Sequence, residues 1–200
     1  MFPIWRKMEH SMYPSIALAR CYVADESLGL VDEIAQQVAQ SAMSGDRNEA
    51  LSLWVDPMNP GNHLAIASCL VDSPDDNAWT HMITLAGEGR IESAFGAPDV
   101  HPVLPHRIHG SPARKIEVGQ CCSLSMRRAD PGYSDTLLEE MSDIVESLRY
   151  LDGYLGSIVG TNPALPEEII GLVFWQDQFS YEESNPHKGL YEIWLFERMI

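Results

Sequence analysis

The feature that most constrains the fold is an internal repeat. A shift of about 105 positions carries the apolar segment 64–72 onto 169–177, and both segments end in aspartate. The same shift carries 16–25 onto 121–130, which share a final Ala-Asp, and 51–55 onto 156–160. Because these segments recur in one order at one offset, the sequence predicts two copies of one supersecondary unit.

The second copy reads as strand, helix, strand, strand, helix, strand. Its predicted strands are 116–126, 154–160, 168–176 and 191–199, with a turn-rich connection over 161–166 and a short helix over 179–185. The long helix is expected to open at Asp130 as N-cap and Pro131 as the first helical residue. Its predicted buried face carries Leu137, Met141, Ile144 and Leu148.

The first copy follows the same order with a longer ending. Strands are predicted at 15–23, 51–55, 64–71 and 103–108, and a second helix near 75–86. The first helix carries Leu30, Ile34, Val38 and Ala42 on one face. The segment 88–111 is rich in Gly and Pro and longer than its counterpart.

This element order is the ferredoxin-like βαββαβ arrangement, an α+β fold in which helices cover one face of an antiparallel sheet. One such sheet leaves its other face bare, and a second copy can cover it. We therefore expect two ferredoxin-like repeats, 13–111 and 112–200, with sheets packed as one barrel-like unit. In the alternative arrangement each repeat pairs with another chain, as in a homodimer.

Charge and composition exclude several partner classes. The chain has 13 basic and 29 acidic residues, a net charge of −16, and this acidic field disfavours nucleic acid and anionic membrane surfaces. No apolar run approaches the ~20 residues of a membrane span. The four cysteines form no C-x-x-C pair, which suits a reducing cytoplasm. No glycine-rich nucleotide-binding motif is present.

One segment carries a family resemblance. An apolar strand ends at Trp175, a short helix follows with Tyr181 near its middle, and a Ser-x-Pro-His string ends at His187. This pattern resembles the antibiotic biosynthesis monooxygenase-like proteins of the dimeric α/β-barrel superfamily, over roughly residues 116–200. That superfamily includes cofactor-free monooxygenases, haem-degrading enzymes, isomerases and proteins of no known activity, so the fold does not determine the chemistry.

The resemblance implies a site. Such domains enclose an apolar cleft between sheet and helices, which suits a small apolar or aromatic molecule, and the monooxygenases use no cofactor. We expect Trp175 to offer its indole N–H to the cleft, Tyr181 to offer a hydroxyl, and His187 to act as a base or haem ligand. The structural alternatives are a core tryptophan, a packing tyrosine and a loop histidine.

The sequence departs from the family at other positions. The resemblance implies an asparagine four residues before the tryptophan, where this chain has Gly171, and an arginine on the last strand, where Arg198 is available. The haem-degrading branch has an asparagine on the first strand, where Gln120 is the nearest amide. We therefore carry a cofactor-independent monooxygenase, a non-catalytic ligand-binding or assembly domain, and a haem-binding relative as hypotheses.

Three further groups of residues are given structural rather than functional interpretations. The histidines His101, His106 and His109 are interpreted as part of a connecting loop rather than a metal site, because prolines interrupt the segment. The basic residues of 107–128 are expected to neutralise neighbouring acids, while the acids of the long helix form a solvated surface.

Overall fold

Eight antiparallel strands close into one barrel in this computed structural model. The structure describes residues 13–24, 27, 29–31, 33–34, 36, 50–71, 98–110, 117–184 and 193–198. Its strands are β1 (Tyr13–Tyr22), β2 (Ala50–Asp56), β3 (Asn59–Val71), β4 (Asp99–Gly110), β5 (Cys121–Arg128), β6 (Tyr154–Asn162), β7 (Leu165–Trp175) and β8 (Trp194–Arg198). Two helices follow strands of the second half, α1 (Ser134–Leu148) and α2 (Gln178–Ser184).

The strand order around the barrel is β1-β3-β2-β8-β5-β7-β6-β4. The first four strands therefore follow the order β4-β1-β3-β2, and the last four follow β8-β5-β7-β6. Hydrogen-bonded pairs β2–β8 and β4–β6 join the two sets at their edges. The antiparallel α+β fold expected from the sequence is confirmed, but the two sets form one continuous closed sheet rather than two stacked sheets. Closure satisfies strand edges that would otherwise be unpaired.

The pairing registers of the two sets correspond. Leu18 lies opposite Ile66 in the β1–β3 ladder, and Leu124 lies opposite Leu172 in the β5–β7 ladder. Leu124 follows Leu18 in the sequence by the same number of residues as Leu172 follows Ile66. An equal displacement of paired strands keeps the same side chains facing inward in both sets.

The barrel interior is the main apolar core. Side chains alternate between the two faces of each strand, so Ile170, Leu172 and Phe174 of β7 point inward. The intervening Ile169, Val173 and Trp175 point outward and are covered by helices. Because both faces of β7 are buried, its sequence is a continuous apolar run rather than an alternating one.

The start of α1 differs from the prediction. Tyr133 donates its backbone N–H to the Asp130 carbonyl at 2.9 Å, which closes a turn over Pro131 and Gly132. Gly132 has a φ of 84°, so it supplies the left-handed third position of this turn after a proline. Helix α1 therefore begins at Ser134 with Tyr133 as N-cap, and the prediction of Asp130 and Pro131 as its first residues was wrong.

The buried face of α1 is also rotated from the predicted one. Met141 and Val145 are buried, and Leu137 and Leu148 pack against the same cluster as expected. Ile144, however, is 48% exposed. The buried stripe therefore passes through Val145 rather than Ile144.

Several other boundaries shift. Strand β5 begins at Cys121 rather than at 116, and β6 and β7 extend into the predicted connection, leaving only 163–164 as the turn. In the first half, the described residues between 29 and 36 are helical, with Val31 and Ile34 buried. Val38, Ala42 and the predicted helix over 75–86 lie outside the described residues.

The strand predicted at 103–108 is confirmed as part of β4, which is longer than predicted. All three clustered histidines lie on it, so their interpretation as part of a connecting loop was wrong. His101 Nδ1 lies 2.9 Å from a Glu168 carboxylate oxygen. His106 Nε2 lies 3.1 Å from a Glu139 oxygen, and His109 Nε2 lies 2.7 Å from a Glu146 oxygen. Arg107 also lies within 4 Å of acids of α1. The acidic face of α1 is therefore partly paired with β4 rather than wholly solvated.

Among the described residues, no helical segment combines the length and the apolar character of a membrane span.

Candidate functional site

A cleft of about 200 Å³ lies between the outer face of the β5–β7 pair and the helices that cover it. Its sheet wall is formed by Ser123, Ser125, Arg127, Gly171, Val173 and Trp175. Its opposite wall is formed by Met141, Ile144, Val145 and Leu148 of α1, Tyr181 and Ser184 of α2, and Ile193 before β8. Most of this lining is apolar, as in typical small-molecule sites.

Strand alternation explains which sheet residues line the cleft. Outward positions of β5 and β7 are the odd-numbered ones, and neighbouring residues of the two strands pair as Ser123 with Val173 and Ser125 with Gly171. Helix α2 follows two residues after β7. Its start is fixed by Asp177, whose carboxylate accepts hydrogen bonds from the Ser180 backbone N–H and hydroxyl, both at 2.8 Å.

Trp175 forms one end of the sheet wall and is almost fully buried. Its indole N–H donates to Ser123 Oγ at 3.1 Å, and the Ser123 hydroxyl donates to the Val173 carbonyl at 3.4 Å. The rings of Tyr154 and Tyr181 lie edge-on to the indole, with centroids at 6.1 and 6.4 Å. The indole N–H that was expected to donate to a ligand is thus already donated to Ser123, within the sheet wall. Trp175 therefore contributes its ring surface to the cleft.

Tyr181 lies on the helical side of the same cleft. It is half-buried, and its ring packs against Trp175. The structure therefore brings together two of the three residues predicted for the site. His187, the third, lies outside the described residues.

The positions at which the sequence departs from the family have definite places in the structure. A Cβ added to Gly171 would lie 3.2 Å from the sulfur of Met141, so a larger side chain there would compete with α1. The side chain of Gln120 accepts a hydrogen bond from the Glu117 backbone N–H in the turn before β5. Gln120 therefore stabilises a turn and does not line the cleft.

Arg198 points into the barrel and does not line the cleft, since it alternates in phase with the inward-facing Phe196. Its Nε and Nη1 atoms are buried and have no hydrogen-bond partner among the described residues. Burial lowers the pKa of Arg198 below the usual value for arginine. The last-strand arginine implied by the resemblance is therefore absent from the cleft.

Sequence reasoning missed a polar row on β5. Ser123, Ser125 and Arg127 occupy alternate positions and face the cleft together. The Ser125 hydroxyl is buried and has no hydrogen-bond partner in the described part of the structure. The signal was present in the order Ser-Leu-Ser-Met-Arg over 123–127, but identifying the face that meets the helices required the barrel.

The neighbouring cysteines are not arranged as nucleophiles. Burial, followed by the nearby carboxylates of Glu197 and Asp177, raises the pKa of Cys121 to about 11. Burial also raises the pKa of Cys122 well above its usual value. Both thiols stay protonated at neutral pH, and the thiolate is the reactive form. Among the described residues no group of three His, Cys, Asp or Glu side chains could hold a metal ion.

Comparison with solved structures identifies proteins of the same fold. A candidate monooxygenase of Fusobacterium nucleatum superposes with a TM-score of 0.68 at 11% identity, over 94% of this chain and 92% of that chain. A candidate monooxygenase of Lactobacillus acidophilus gives a TM-score of 0.68 at 12% identity, over 92% and 93%. An anthrone oxidase-like protein gives 0.61 at 11% identity, over 95% and 92%.

No protein-family model matches the chain, and no curated protein matches it in sequence. The likeness to known proteins is thus one of structure. Nearly the whole chain aligns with each of these structures, so the likeness covers the entire barrel. The resemblance inferred from Trp175, Tyr181 and His187 is confirmed at the level of the fold, which is that of the antibiotic biosynthesis monooxygenase-like proteins.

Proposed function

We propose that the cleft binds a small aromatic or polyketide-like molecule, and that the protein is a cofactor-independent monooxygenase-like oxidoreductase. The observation that carries the proposal is the cleft itself, an apolar space of about 200 Å³ bounded by Trp175 and Tyr181. That volume lies below the ~300–1,000 Å³ of sites for drug-sized ligands. A compact ring system is therefore the expected occupant.

The proposed reaction needs a group that removes a proton and a cleft that excludes water. Trp175 and Tyr181 hold the ring by packing, and His187 is the proposed base. Removing a proton from an activated methylene group leaves a carbanion that reduces O₂ directly. One oxygen atom becomes the carbonyl oxygen of the product, and the other leaves as water with the two methylene hydrogens.

The structural neighbours support this proposal, because two are described as candidate monooxygenases and one as anthrone oxidase-like. At 11–12% identity these neighbours support the fold alone. The proposed substrate class comes from the family resemblance, and the mostly apolar lining of this chain's own cleft is compatible with it.

The second candidate function is ligand binding without catalysis. Two observations favour it: the Trp175 N–H is already donated to Ser123, and Met141 occupies the space above Gly171. Strand β7 therefore presents no side-chain hydrogen-bond donor to a substrate. A haem-binding role fits less well, because a porphyrin needs more space than the cleft provides.

The decisive experiment combines ligand binding with oxygen consumption. Anthrones, quinols and flavonoid-like phenols would be screened by calorimetry and with an oxygen electrode, using wild type, Tyr181→Phe and His187→Ala. We expect His187→Ala to keep binding and to lose about 10²–10⁴-fold in turnover. Trp175→Phe tests the aromatic wall of the cleft, and Trp54→Phe is its matched control, because Trp54 is equally buried but lies inside the barrel.

Each result selects one hypothesis. Binding without oxygen consumption by wild type would support the non-catalytic alternative. Absence of binding by every compound would overturn both candidate functions. A Soret shift on mixing with haem would instead support the haem-binding relative.

We also propose that residues 13–111 and 112–200 are duplicated ferredoxin-like repeats within one closed barrel. The matching strand order and the equal displacement of the Leu18–Ile66 and Leu124–Leu172 pairs support this division. Superposing the two segments in an experimental structure tests it, and failure of the four strands to align would overturn it. Sedimentation of the purified chain tests the homodimer alternative.

A further inference from the structure

The polar row on β5 contains two serine hydroxyls that differ in their hydrogen bonding. Ser123 is engaged by Trp175 and Val173. The Ser125 Oγ, two positions further along the same wall, is buried and has no hydrogen-bond partner in the described ranges. Its neighbour across the ladder is Gly171, which has no side chain to offer one.

An unpaired buried hydroxyl is energetically unfavourable. Leaving such a group without a hydrogen bond costs about 1–3 kcal/mol, and the large majority of buried polar atoms in proteins are paired. Since Ser125 lines a cleft whose walls are mostly apolar, a bound molecule is the natural source of the missing partner. A hydroxyl can donate to an oxygen of that molecule.

Arg127 gives this part of the cleft a positive charge. It faces the cleft from the same strand, one outward position beyond Ser125. A guanidinium donates several hydrogen bonds in a planar fork that matches an oxyanion, and such charge-assisted bonds are stronger than neutral ones. The chain has a net charge of −16, so this cationic side chain gives the cleft wall a charge opposite in sign to that of the whole molecule.

The polar and aromatic ends of the cleft are separate. The outward residues of β5 pair in sequence with Trp175, Val173, Gly171 and Ile169, so Arg127 lies at the opposite end of the wall from the indole. A ligand lying along β5 would place its ring near Trp175 and Tyr181. Its oxygen would then lie near Ser125 and Arg127.

We propose that Ser125 and Arg127 form an oxyanion subsite, and that the ligand is a small aromatic molecule with an ionised oxygen, a phenolate or a carboxylate. This inference rests on the proposed function of the cleft in binding an aromatic molecule. It adds the charge of the ligand, its orientation and the two residues that determine specificity.

The test compares three probes of similar ring size by calorimetry. Naphthoate carries a carboxylate, naphthol becomes a phenolate above its pKa, and methoxynaphthalene is neutral. Wild type is expected to bind naphthoate about tenfold more tightly than methoxynaphthalene, the ratio that one charge-assisted hydrogen bond provides. Naphthol that binds more tightly once ionised would show that phenolates are accepted as well as carboxylates.

Substitutions test which residues cause the preference for an anionic ligand. Arg127→Met is expected to weaken naphthoate binding about tenfold and to leave methoxynaphthalene binding within about twofold. Ser125→Ala should weaken naphthoate binding by a smaller factor in the same direction. Arg128→Met is the matched control, because it removes the same charge from an adjacent exposed position that does not line the cleft. Arg127→Lys keeps the positive charge but loses the planar fork of hydrogen-bond donors, and it replaces Arg127→Met in the comparison if the methionine variant fails to fold.

The outcomes separate the subsite from the cleft. Equal binding of naphthoate and methoxynaphthalene by wild type would overturn the oxyanion subsite and leave the aromatic cleft standing. A loss of naphthoate affinity in Arg128→Met equal to that in Arg127→Met would overturn the assignment of these residues. Failure of all three probes to bind would overturn the aromatic cleft and the subsite together.

Discussion

Gly171 of β7 and Met141 of α1 share one space: a Cβ on the glycine would lie 3.2 Å from the methionine sulfur. The helix approaches the sheet closely at this point because the strand has no side chain there. The thioether is flexible and can move by a few tenths of an ångström. The contact therefore sets how large a residue the floor of the cleft accepts.

This contact predicts a graded response to substitution. Gly171→Ala should change stability little, whereas Gly171→Asn should destabilise the fold by about 1–3 kcal/mol because it overpacks the contact. Combining Gly171→Asn with Met141→Ala should recover part of that loss, since the two changes relieve each other. Urea unfolding of the single and double variants measures this coupling, and strictly additive losses would contradict it.

Two buried tryptophans each donate a hydrogen bond to a serine hydroxyl, so the two serines can be replaced as a matched pair. The Trp54 N–H donates to Ser52 Oγ at 2.9 Å in the barrel interior, as the Trp175 N–H donates to Ser123 Oγ at the cleft. Ser52→Ala and Ser123→Ala each leave an indole N–H unpaired, so each should cost about 1–3 kcal/mol. Only Ser123→Ala should alter ligand affinity in the cleft. An equal effect of Ser52→Ala on binding would argue against that location.

Replacing Arg198 should stabilise the protein. Its Nε and Nη1 atoms are buried without partners in the part of the chain the structure describes, and burial lowers its pKa. A base whose pKa is lower in the folded state destabilises the fold wherever the unfolded chain keeps it charged, which includes neutral pH. Arg198→Met should therefore raise the free energy of unfolding, by about 1–3 kcal/mol. Thermal unfolding beside the exposed control Arg128→Met measures this, and a lower Tm for Arg198→Met would contradict it.

Asp177 should make the start of α2 pH-sensitive. The Ser180 backbone N–H, followed by the Ser180 hydroxyl, lowers the pKa of the Asp177 carboxyl below its ordinary value of 3.8. A carboxyl with a lowered folded pKa stabilises the fold fully above its unfolded pKa, and this contribution is lost as the pH falls through the folded pKa.

Hydrogen exchange across α2 as a function of pH measures this effect. Wild type should lose protection of α2 in acid below about pH 3.8. Asp177→Ala should weaken the helix at neutral pH and, because α2 carries Tyr181 and Ser184, should also lower ligand affinity. Asp177→Asn retains a capping oxygen and should keep protection without the acid transition. An acid transition that persists in Asp177→Asn would assign it to another group.

The most predictable elements were those in which local sequence and burial agree. The apolar run ending at Trp175 is buried on both faces, so it is recognisable without alternation, and β7 ends within one residue of the prediction. The helix after it also lies within one residue of the predicted bounds. Trp175 and Tyr181 meet because this short connection fixes their relative position.

The failures came from proline and from tertiary pairing. A strand was predicted at 103–108, but Pro102 and Pro105 led to the interpretation of the surrounding histidines as part of a loop. Both prolines lie in β4, and the ladder shifts register just after Pro105. Bulges are among the few places where strands accept proline. Similarly, Ser125 and Arg127 belong to the cleft only because the closed barrel turns that face of β5 toward α1. The spacing of residues along the chain does not show which face of β5 lies against the helix.

Barrel closure by a single polypeptide has a consequence for divergence. When two identical subunits form such a barrel, every substitution occurs in both halves of the barrel because of the symmetry. Here the β1–β3 side and the β5–β7 side are encoded separately, so Ala65 can occupy the first ladder while Gly171 occupies the equivalent place in the second. One side of the barrel can thus evolve to bind a ligand while the other side evolves under selection for stability alone.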